Sequence, residues 1–395
     1  MLIGLVGKPS CGKSTFFKAA TLADVLIANY PFTTIKPNHG IGYVRIDCLC
    51  RDFKMKCSPQ KGSCVGGKRF VPVELMDVAG LVRGASDGKG MGNQFLDDLR
   101  QADAFIHIVD ISGETNEKGE KTKGHDPAKD VEMLENELNF WHLGIMNKVW
   151  KGFARTLQVE KRDFANAVAK QFSGLKISED DVTEVVSEGG FDVSNALNWS
   201  DKELMKFASA LRKKTKPMII AANKIDLPES KSNLEKLRKE FPDLYIVPCS
   251  ADSELALREA GKPGLIKYIP GDKSFEITGG VTGKQKEALE KIKKDVLNIY
   301  GSTGVQEVLD KVVFELLKYI AVFPVDNANK LVDSKGNVLP DCFLIPEYST
   351  ALNFAYHIHT DLGDKFIKAI DAKTKKAISK EHKLKHRDVV EIVTE

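Results

Sequence analysis

The residues best suited to chemistry lie where a short apolar run meets a turn that contains glycine and lysine. Gly7 and the triplet Gly12-Lys13-Ser14 have the spacing G-x4-G-K-S. Glycines in such a loop let successive backbone N–H groups surround a phosphate, and a helix that begins there adds partial positive charge. Lys13 would reach the β- and γ-phosphates of a nucleotide, and Ser14 would bind Mg²⁺. The predicted phosphate-binding residues are Gly7, Lys8, Pro9, Ser10, Cys11, Gly12, Lys13, Ser14 and Thr15.

A second motif would complete the magnesium site. Asp77 ends an apolar run and is followed by Val78-Ala79-Gly80. A carboxylate at this point would hold Mg²⁺ through a water molecule, and the Gly80 N–H would sense the γ-phosphate. Thr33 and Thr34 lie between the two motifs, where a loop must supply a hydroxyl group to the same ion.

A third motif, Asn223-Lys224-Ile225-Asp226, would select the base. The Asp226 carboxylate would accept hydrogen bonds from the N1–H and the exocyclic amine of guanine, whereas adenine presents an unmatched edge. Such discrimination is strong because the wrong base leaves polar groups unpaired. Lys224 would lie along the purine ring, and Ser250 and Ala251 would place a backbone N–H near guanine O6. These elements, in this order, predict GTP and GDP as ligands.

Composition narrows the class of protein. The chain has 395 residues, of which 42% are hydrophobic and 29% charged, and its formal net charge is +3. This length predicts two or three domains, and the apolar fraction excludes a mainly disordered chain. The near-balanced charge excludes a uniformly basic nucleic-acid coat. No apolar run approaches the roughly 18 residues of a membrane span, and no secretion signal is recognised, so we expect a soluble cytoplasmic protein without a membrane partner.

The motifs require a scaffold of alternating strands and helices, which the hydrophobic pattern predicts. Strand-like runs occur at residues 2–6, 40–46, 70–76, 104–109, 217–222 and 245–248. Helical patterns lie between most of them, at residues 16–23, 91–102 and 232–240. This alternation predicts an α/β fold of the P-loop NTPase kind, with a mostly parallel sheet and helices on both faces.

Two segments depart from this alternation. From residue 112 to 216 the periodicity is helical, which predicts an inserted arm, an antiparallel helix pair packed around Trp141, Trp150 and Trp199. After helical patterns at 284–298 and 305–317, short strands with turns at 333–337 and 361–364 predict a small α+β module. The predicted domains are a nucleotide domain in two parts (1–111, and 217–318 with its connecting helices), an arm (112–216) and a C-terminal module (319–395).

These features resemble the Obg-related GTPases, and within them the YchF-type branch. The segments that carry the resemblance are Asn29–Asn38, Asp77–Val82 and Gly88–Leu96, and Thr350–Gly363 is similar to a TGS domain, a ubiquitin-like β-grasp module. The resemblance covers nearly the whole chain. It implies GTP hydrolysis and association with ribosomes. It also implies that Thr34 is the Mg²⁺-binding threonine, with Thr33 as second choice, so the expected catalytic residues are Lys13, Thr34 and Gly80.

Three features of the sequence bear on base selection and on the rate of hydrolysis. Bacterial YchF-type proteins carry an altered base-recognition motif and favour ATP, whereas Asn223–Asp226 predicts guanine selection. Ser10 stands where some relatives have a K⁺-binding asparagine, so we do not expect potassium-stimulated hydrolysis, although Ser10 could offer a weaker oxygen. Leu81 stands where many small GTPases have a glutamine that orients water. We therefore expect slow hydrolysis of GTP in the absence of a partner.

Four of the seven cysteines fall within seventeen residues: Cys48, Cys50, Cys57 and Cys64. Four thiolates could close a tetrahedral Zn²⁺ site and hold a loop that is too small to have its own core. The spacing is not the usual paired C-x2-C, and the family resemblance does not require a metal here. Free thiols or a disulfide are the alternatives.

Two basic segments are candidates for contact with RNA. Lys365–Arg387 contains nine Lys or Arg against two acidic residues, and Lys148–Lys176 in the arm contains seven against two. Clustered cations attract phosphate groups, which favours a ribosome or RNA partner; a solvated charged face is the alternative. His357 and His359 are interpreted as structural. The competing functions are a stand-alone nucleotide hydrolase or a protein-docking switch in stress signalling, without an RNA partner.

Overall fold

The computed structural model describes residues 1–21, 38–78 and 100–395, which form two compact units. Unit 1 lies within residues 1–17 and 74–253, and unit 2 within residues 18–73 and 254–395. The strands are β1 (Leu2–Val6), β2 (His39–Asp47), β3 (Ser63–Val65), β4 (Lys68–Asp77), β5 (Ala104–Asp110), β6 (Met218–Asn223), β7 (Tyr245–Pro248), β8 (Ile266–Lys267), β9 (Glu276–Ile277), β10 (Tyr319–Val325), β11 (Phe343–Pro346), β12 (Phe366–Asp371), β13 (Lys376–Ile378) and β14 (Asp388–Thr394).

The helices in the described part of the chain include several short or irregular ones. They are α1 (Lys13–Thr21), α2 (Leu49–Asp52), α3 (Ala128–Asn147), α4 (Trp150–Glu160), α5 (Phe164–Gln171), α6 (Glu179–Gly189), α7 (Asp201–Thr215), α8 (Ser230–Glu240), α9 (Ala251–Gly261), α10 (Gly283–Ile292), α11 (Asn298–Tyr300), α12 (Val305–Lys311), α13 (Ala351–Ile358) and α14 (Thr360–Asp364). Short 3₁₀ segments occur at Ser173–Leu175 and Val193–Asn198, the second with a kink at Asn195, and π-helical stretches extend α10 and α12. None of these helices is long and apolar enough to cross a membrane.

A parallel sheet forms the centre of unit 1. Its strand order is β4-β1-β5-β6-β7, and β4 takes part through its last four residues. Every residue of β1, β5 and β6 is buried, as expected for a parallel sheet whose two faces are both covered. The carboxyl ends of parallel strands lie at one edge of the sheet, so the loops that follow these strands meet there. The predicted α/β fold is confirmed.

Five helices, α3 to α7, form the arm, where the sequence predicted one antiparallel pair. The pair exists as α3 and α7: Arg212 near the end of α7 donates hydrogen bonds to Glu135 and Asn139 near the middle of α3. The missed helix boundaries have a physical cause. Lys161 ends α4 with φ of 48°, and Lys176 ends the following 3₁₀ turn with φ of 59°. A left-handed helix end usually carries glycine, and lysine in that place gives no signal in the sequence.

Aromatic side chains hold the arm together. The Trp150 ring stacks on the Trp199 ring with 5.3 Å between centroids, and both lie against Phe207. Trp141 is 4% exposed and belongs to the same cluster of buried residues. The predicted role of the three tryptophans in packing the arm is therefore confirmed.

We predict that acid weakens the arm through His142, which is fully buried on α3 beside the Trp141 ring. Burial lowers the pKa of His142 to about 3. His142 is protonated below about pH 6.5 in the unfolded chain but stays neutral in the folded chain. The free energy of unfolding is therefore largest above that pH and decreases as the pH falls toward 3. His142→Phe keeps a ring and removes the titration. The loss of unfolding free energy between pH 7 and pH 5 should shrink by about 2 kcal/mol.

Urea unfolding followed by tryptophan fluorescence measures this effect, because all three tryptophans lie in the arm. An unchanged difference between pH 7 and pH 5 in His142→Phe would contradict the prediction. His382→Phe is a matched control, because His382 is exposed and the substitution removes a histidine without removing a buried one.

Unit 2 ends in a five-stranded sheet of order β11-β10-β14-β12-β13. β10 pairs parallel with β14 and antiparallel with β11, and α13 packs its apolar side against the sheet through Ala351 and Phe354. This is the predicted β-grasp module. The turn predicted at 333–337 is present, where Asp333 accepts from the Asn337 N–H at 2.7 Å. The turn predicted at 361–364 is wrong: those residues belong to α14, which the His359 side chain caps.

Candidate nucleotide-binding site

The loop between β1 and α1 has the form that phosphate binding requires. β1 ends at Val6 and α1 begins at Lys13, and the loop between them contains Gly12 with φ of 93°. The Phe16 N–H donates to the Gly12 carbonyl at 2.9 Å, so the first helical turn forms directly after the loop. The positive end of the helix therefore faces the predicted phosphate position.

Two glycines of this loop are required by close packing. A Cβ atom on Gly12 would fall 2.2 Å from Asn223 Nδ2, and one on Gly7 would fall 2.6 Å from the Ile108 carbonyl oxygen. Real Cβ atoms do not make contacts that short. The spacing found in the sequence therefore corresponds to a steric requirement at both ends of the loop.

Asn223 joins the loops after β1 and β7. Its buried side chain donates from Nδ2 to the Cys11 carbonyl at 2.9 Å and accepts the Ala251 N–H at Oδ1 at 3.0 Å. Sequence reasoning placed Asn223 in the base-selecting motif and missed this bracing role, because the partners are far away in the chain. The Ala251 N–H is used by Asn223 here, so its contact with guanine O6 stays a prediction.

Lys224 is fixed by a buried carboxylate that the sequence analysis did not identify. Its Nζ donates to Asp110 Oδ2 at 2.8 Å, and Asp110 also accepts from the hydroxyls of Ser112 and Thr115 at 2.5 and 2.6 Å. Burial raises the pKa of Asp110, but the three hydrogen bonds outweigh burial and hold the pKa below its usual value. An ionised Asp110 therefore anchors the Lys224 side chain. Its only sequence signal was an acidic residue at the end of an apolar strand.

Asp226 has one carboxylate oxygen positioned by the protein. The Ser250 hydroxyl donates to Asp226 Oδ1 at 2.8 Å, and Ser250 is itself held by Ser253 at 2.8 Å. Asp226 Oδ2 makes no hydrogen bond to any residue that the structure describes. The carboxylate therefore has a fixed orientation and a free acceptor, which is the arrangement that recognition of N1–H and an exocyclic amine needs.

Lys13 and Asp77 form an ion pair at the carboxyl edge of the sheet. The pairing of β1 with β4 places Leu5 opposite Asp77 and so brings the carboxylate beside the phosphate loop. Ser14 follows Lys13 in α1 and is exposed. A hydroxyl and a carboxylate are oxygen donors of the kind that Mg²⁺ prefers, so these residues fit the ion that GTPases use. Thr33, Thr34, Gly80 and Leu81 lie outside the described residues.

Lys8 was predicted to bind phosphate, but its side chain is buried and contacts other residues of the protein. Its buried Nζ donates to the Thr115 carbonyl at 2.7 Å and pairs with Asp130 Oδ2 at 2.7 Å. Asp130 lies in the first turn of α3 and also contacts His125 Nε2 at 2.9 Å. Only the backbone of Lys8 is left for a phosphate, and its side chain links the loop to the arm.

The four clustered cysteines lie in unit 2, between β2 and β4. Their sulfur atoms are brought together, whereas Cys11, Cys249 and Cys342 are buried singly. His357 and His359 do not share a site: the His357 ring lies against Phe343 with 5.7 Å between centroids, and His359 accepts the Asp361 N–H.

The fold and the loops at its carboxyl edge define a P-loop nucleotide-binding domain of the GTPase class. Comparison with known families supports the assignment to the GTPase class. Residues 2–143 match the family described as 50S ribosome-binding GTPase, residues 221–327 match the Obg-like GTPase YGR210-like, G4 motif-containing domain, and residues 329–394 match the TGS domain.

Individual relatives cover the whole chain. An uncharacterised GTP-binding protein of Methanocaldococcus jannaschii is 48% identical over 393 residues, which is 100% of this chain and 99% of the relative. The crystal structure of a GTP-binding protein from Pyrococcus horikoshii superposes with a TM-score of 0.80 at 39% identity, with 100% of both chains covered. The ribosome-binding ATPase YchF of Buchnera aphidicola is 30% identical over 93% of this chain and 86% of its own length. The chain belongs to the Obg/YchF-type GTPases with a C-terminal TGS domain, so it is a GTP-hydrolysing enzyme of a family that generally uses Mg²⁺.

Proposed function

We propose that this GTPase selects guanine through Asp226 and holds the phosphates through the loop 7–15. The free Asp226 Oδ2 would accept from the base, and Lys224, anchored on Asp110, would lie along the ring. Lys13 would leave Asp77 and donate to the β- and γ-phosphates. Bound Mg²⁺, held by Ser14 and through water by Asp77, would supply positive charge at the phosphates. By resemblance, Thr34 would bind the same Mg²⁺, and the Gly80 N–H would sense the γ-phosphate.

We further propose that the GTP-bound protein associates with ribosomal RNA in the cytoplasm, in translation or ribosome assembly. The observation that carries this proposal is the surface of the C-terminal module. Eight of the nine basic side chains in Lys365–Arg387 are exposed, and Arg387 is half-buried. Among the described residues, two of these nine form an ion pair: Lys373 with Asp388 and Arg387 with Asp52. Lys375 Nζ donates to the Ala328 carbonyl at 2.5 Å, and the other six cations are available to phosphate groups.

An exposed aromatic side chain makes this surface suited to RNA in particular. Tyr348 is 67% exposed, and Lys383 Nζ lies 5.3 Å from the centre of its ring. Single-stranded RNA is recognised by stacking of bases on aromatic rings next to cations that neutralise the backbone. Sequence reasoning identified the cations but not Tyr348, because Tyr348 lies seventeen residues before the basic segment.

The arm offers a second basic surface. All seven Lys and Arg residues of Lys148–Lys176 are exposed. Lys176 pairs with Asp103 and Arg162 with Glu160, and no ion pair involving the other five occurs in the described part of the chain. The relatives support the same partner, because the Buchnera protein is named a ribosome-binding ATPase and residues 2–143 match a ribosome-binding GTPase family.

Cosedimentation with purified ribosomal subunits tests this function. We expect more protein in the pellet with a non-hydrolysable GTP analogue than with GDP, and a loss of binding as salt rises. The triple substitution Lys376→Glu, Lys380→Glu and Lys383→Glu should reduce binding at least tenfold, because each reversal removes one phosphate contact and adds a repulsion.

The matched control makes the same charge change on α8, with Lys231→Glu, Lys236→Glu and Lys239→Glu. This control should bind as the unmodified chain does. Equal loss in both triple variants would show only a general charge effect. Absence of association in every nucleotide state would contradict the proposed partner and would favour the stand-alone hydrolase or protein-docking switch.

A further inference from the structure

The four cysteines whose role the sequence left open form a compact cluster. Cys48 follows β2, Cys50 lies in α2, Cys57 lies in the loop that follows, and Cys64 lies in β3. All four Sγ atoms lie within 4.8 Å of one another. The pairs Cys48–Cys57 and Cys50–Cys64 have the same Sγ–Sγ distance, 3.8 Å.

We propose that Cys48, Cys50, Cys57 and Cys64 bind one Zn²⁺ as a tetrathiolate site that anchors the loop between β2 and β4. A tetrahedral site with Zn–S bonds of about 2.3 Å has sulfur–sulfur edges of about 3.8 Å. The two measured separations match this edge. A disulfide needs sulfurs about 2.05 Å apart, so neither pair is bonded, and all seven cysteines of the chain are free.

The loop lacks a core that could hold it without a metal. Of residues 48–67, only Cys48 and Leu49 are buried. Its regular structure is limited to the single turn α2 and the three-residue strand β3. Ordering each residue costs about 1–2 kcal/mol of conformational entropy. A segment that buries so few apolar side chains cannot offset that cost. Metal binding supplies folding free energy to small modules of this kind.

A buried cation next to the cluster provides an independent indication of a missing negative charge. Arg69 lies directly opposite Cys64 in the β3–β4 pairing, so the two side chains share a face. Arg69 is 0% exposed, and no residue that the structure describes forms a hydrogen bond with its Nε or Nη1. Its Nη2 donates to the Pro340 carbonyl at 2.8 Å, and no carboxylate pairs with it among the described residues. The Phe323 ring lies 5.7 Å from the guanidinium carbon but carries no charge. A buried guanidinium without an anionic partner is costly, whereas four thiolates around Zn²⁺ carry a net charge of −2 that would balance it.

The anchored loop also supports the C-terminal module. The Ser58 N–H donates to the Val338 carbonyl and the Gln60 N–H donates to the Pro340 carbonyl, both at 2.8 Å. Lys61 Nζ lies 5.0 Å from the centre of the Phe343 ring. The zinc site would therefore fix the surface against which residues 338–343 lie, and its role is structural.

Metal content of the full-length chain, purified without chelators under reducing conditions, tests the proposal. We expect one zinc per chain, and after exchange with Co²⁺ the visible ligand-field bands of tetrahedral, sulfur-bound cobalt. Cys57→Ser and Cys64→Ser should each lose the metal, whereas the control Cys342→Ala, at a buried cysteine outside the cluster, should keep it. Hydrogen exchange at residues 338–343 should quicken in the two serine variants relative to the unmodified chain.

A second measurement does not depend on the folding of a variant. Titration of the unmodified protein with a mercurial thiol reagent should release zinc to a chromogenic chelator in proportion to modification of four thiols. Less than about a tenth of an equivalent of zinc with no cobalt spectrum would overturn the proposal. Iron in place of zinc would also overturn it, as would mass spectra that show Cys48–Cys57 or Cys50–Cys64 disulfides in the freshly purified chain.

Discussion

Asp226→Asn is expected to lower the affinity for GTP and GDP by about 10³-fold and to raise the affinity for xanthine nucleotides by a similar factor. The carboxylate of Asp226 has one oxygen held by Ser250 and one free acceptor. An amide replaces an acceptor by a donor, which then faces the N1–H and amine donors of guanine. Xanthine has a carbonyl in place of that amine and so matches the amide.

Competition between GTP, GDP, ATP and XTP for a fluorescent nucleotide measures this change. Ser250→Ala is the graded control, because it removes the hydroxyl that orients Asp226 but keeps the carboxylate; it should cost about tenfold at most. If Asp226→Asn bound GTP as tightly as the unmodified chain, the base would be recognised elsewhere. Tight binding of ATP by the unmodified chain would also contradict the assignment of Asp226.

Lys13→Ala is expected to reduce the rate of GTP hydrolysis by about 10²–10³-fold. Lys13 is the charged side chain at the start of α1, and in this structure it pairs with Asp77 at the site proposed for Mg²⁺. Its removal takes away a positive charge that would stabilise the negative charge developing on the transferred phosphate. It also leaves the Asp77 carboxylate without its partner in the nucleotide-free protein.

Single-turnover hydrolysis at saturating protein separates this effect from weaker binding of GTP. Lys18→Ala is the matched control, because Lys18 is an exposed lysine on the same helix and its loss should leave the rate within about twofold. A Lys13→Ala rate within threefold of the unmodified chain would show that Lys13 does not contact the phosphates. An unassisted rate of tens per second in the unmodified chain would contradict the slow hydrolysis expected from Leu81.

The nucleotide motifs and the strands of unit 1 were predictable because their signals are local. The conformation of the loop 7–15 depends on glycines that lie within a few residues of one another. The strands β1, β5 and β6 are short runs of apolar side chains between turns. Each predicted strand of the nucleotide domain lies within two residues of the observed bounds. The contacts of Asn223 with Cys11 and Ala251 were not predictable, because they depend on which loops meet in three dimensions.

Other features were missed for related reasons. Two helix ends in the arm were missed because lysine, rather than glycine, stands at the left-handed positions 161 and 176. Asp110 stands at the end of an apolar strand, and only its contact with Lys224, distant in the sequence, distinguishes it from other strand ends. The cysteine spacing left zinc, free thiols and a disulfide open. The clustering of the sulfur atoms and the buried Arg69 beside them favour zinc.

The most direct test of nucleotide-controlled association measures ribosome binding with each nucleotide in turn. Asp226→Asn protein is cosedimented with ribosomal subunits in the presence of non-hydrolysable XTP, XDP, non-hydrolysable GTP or GDP. If the nucleotide at this site controls association, binding should rise with the XTP analogue alone, while the unmodified chain responds to the GTP analogue alone. Association of both proteins that is the same with every nucleotide would contradict the account.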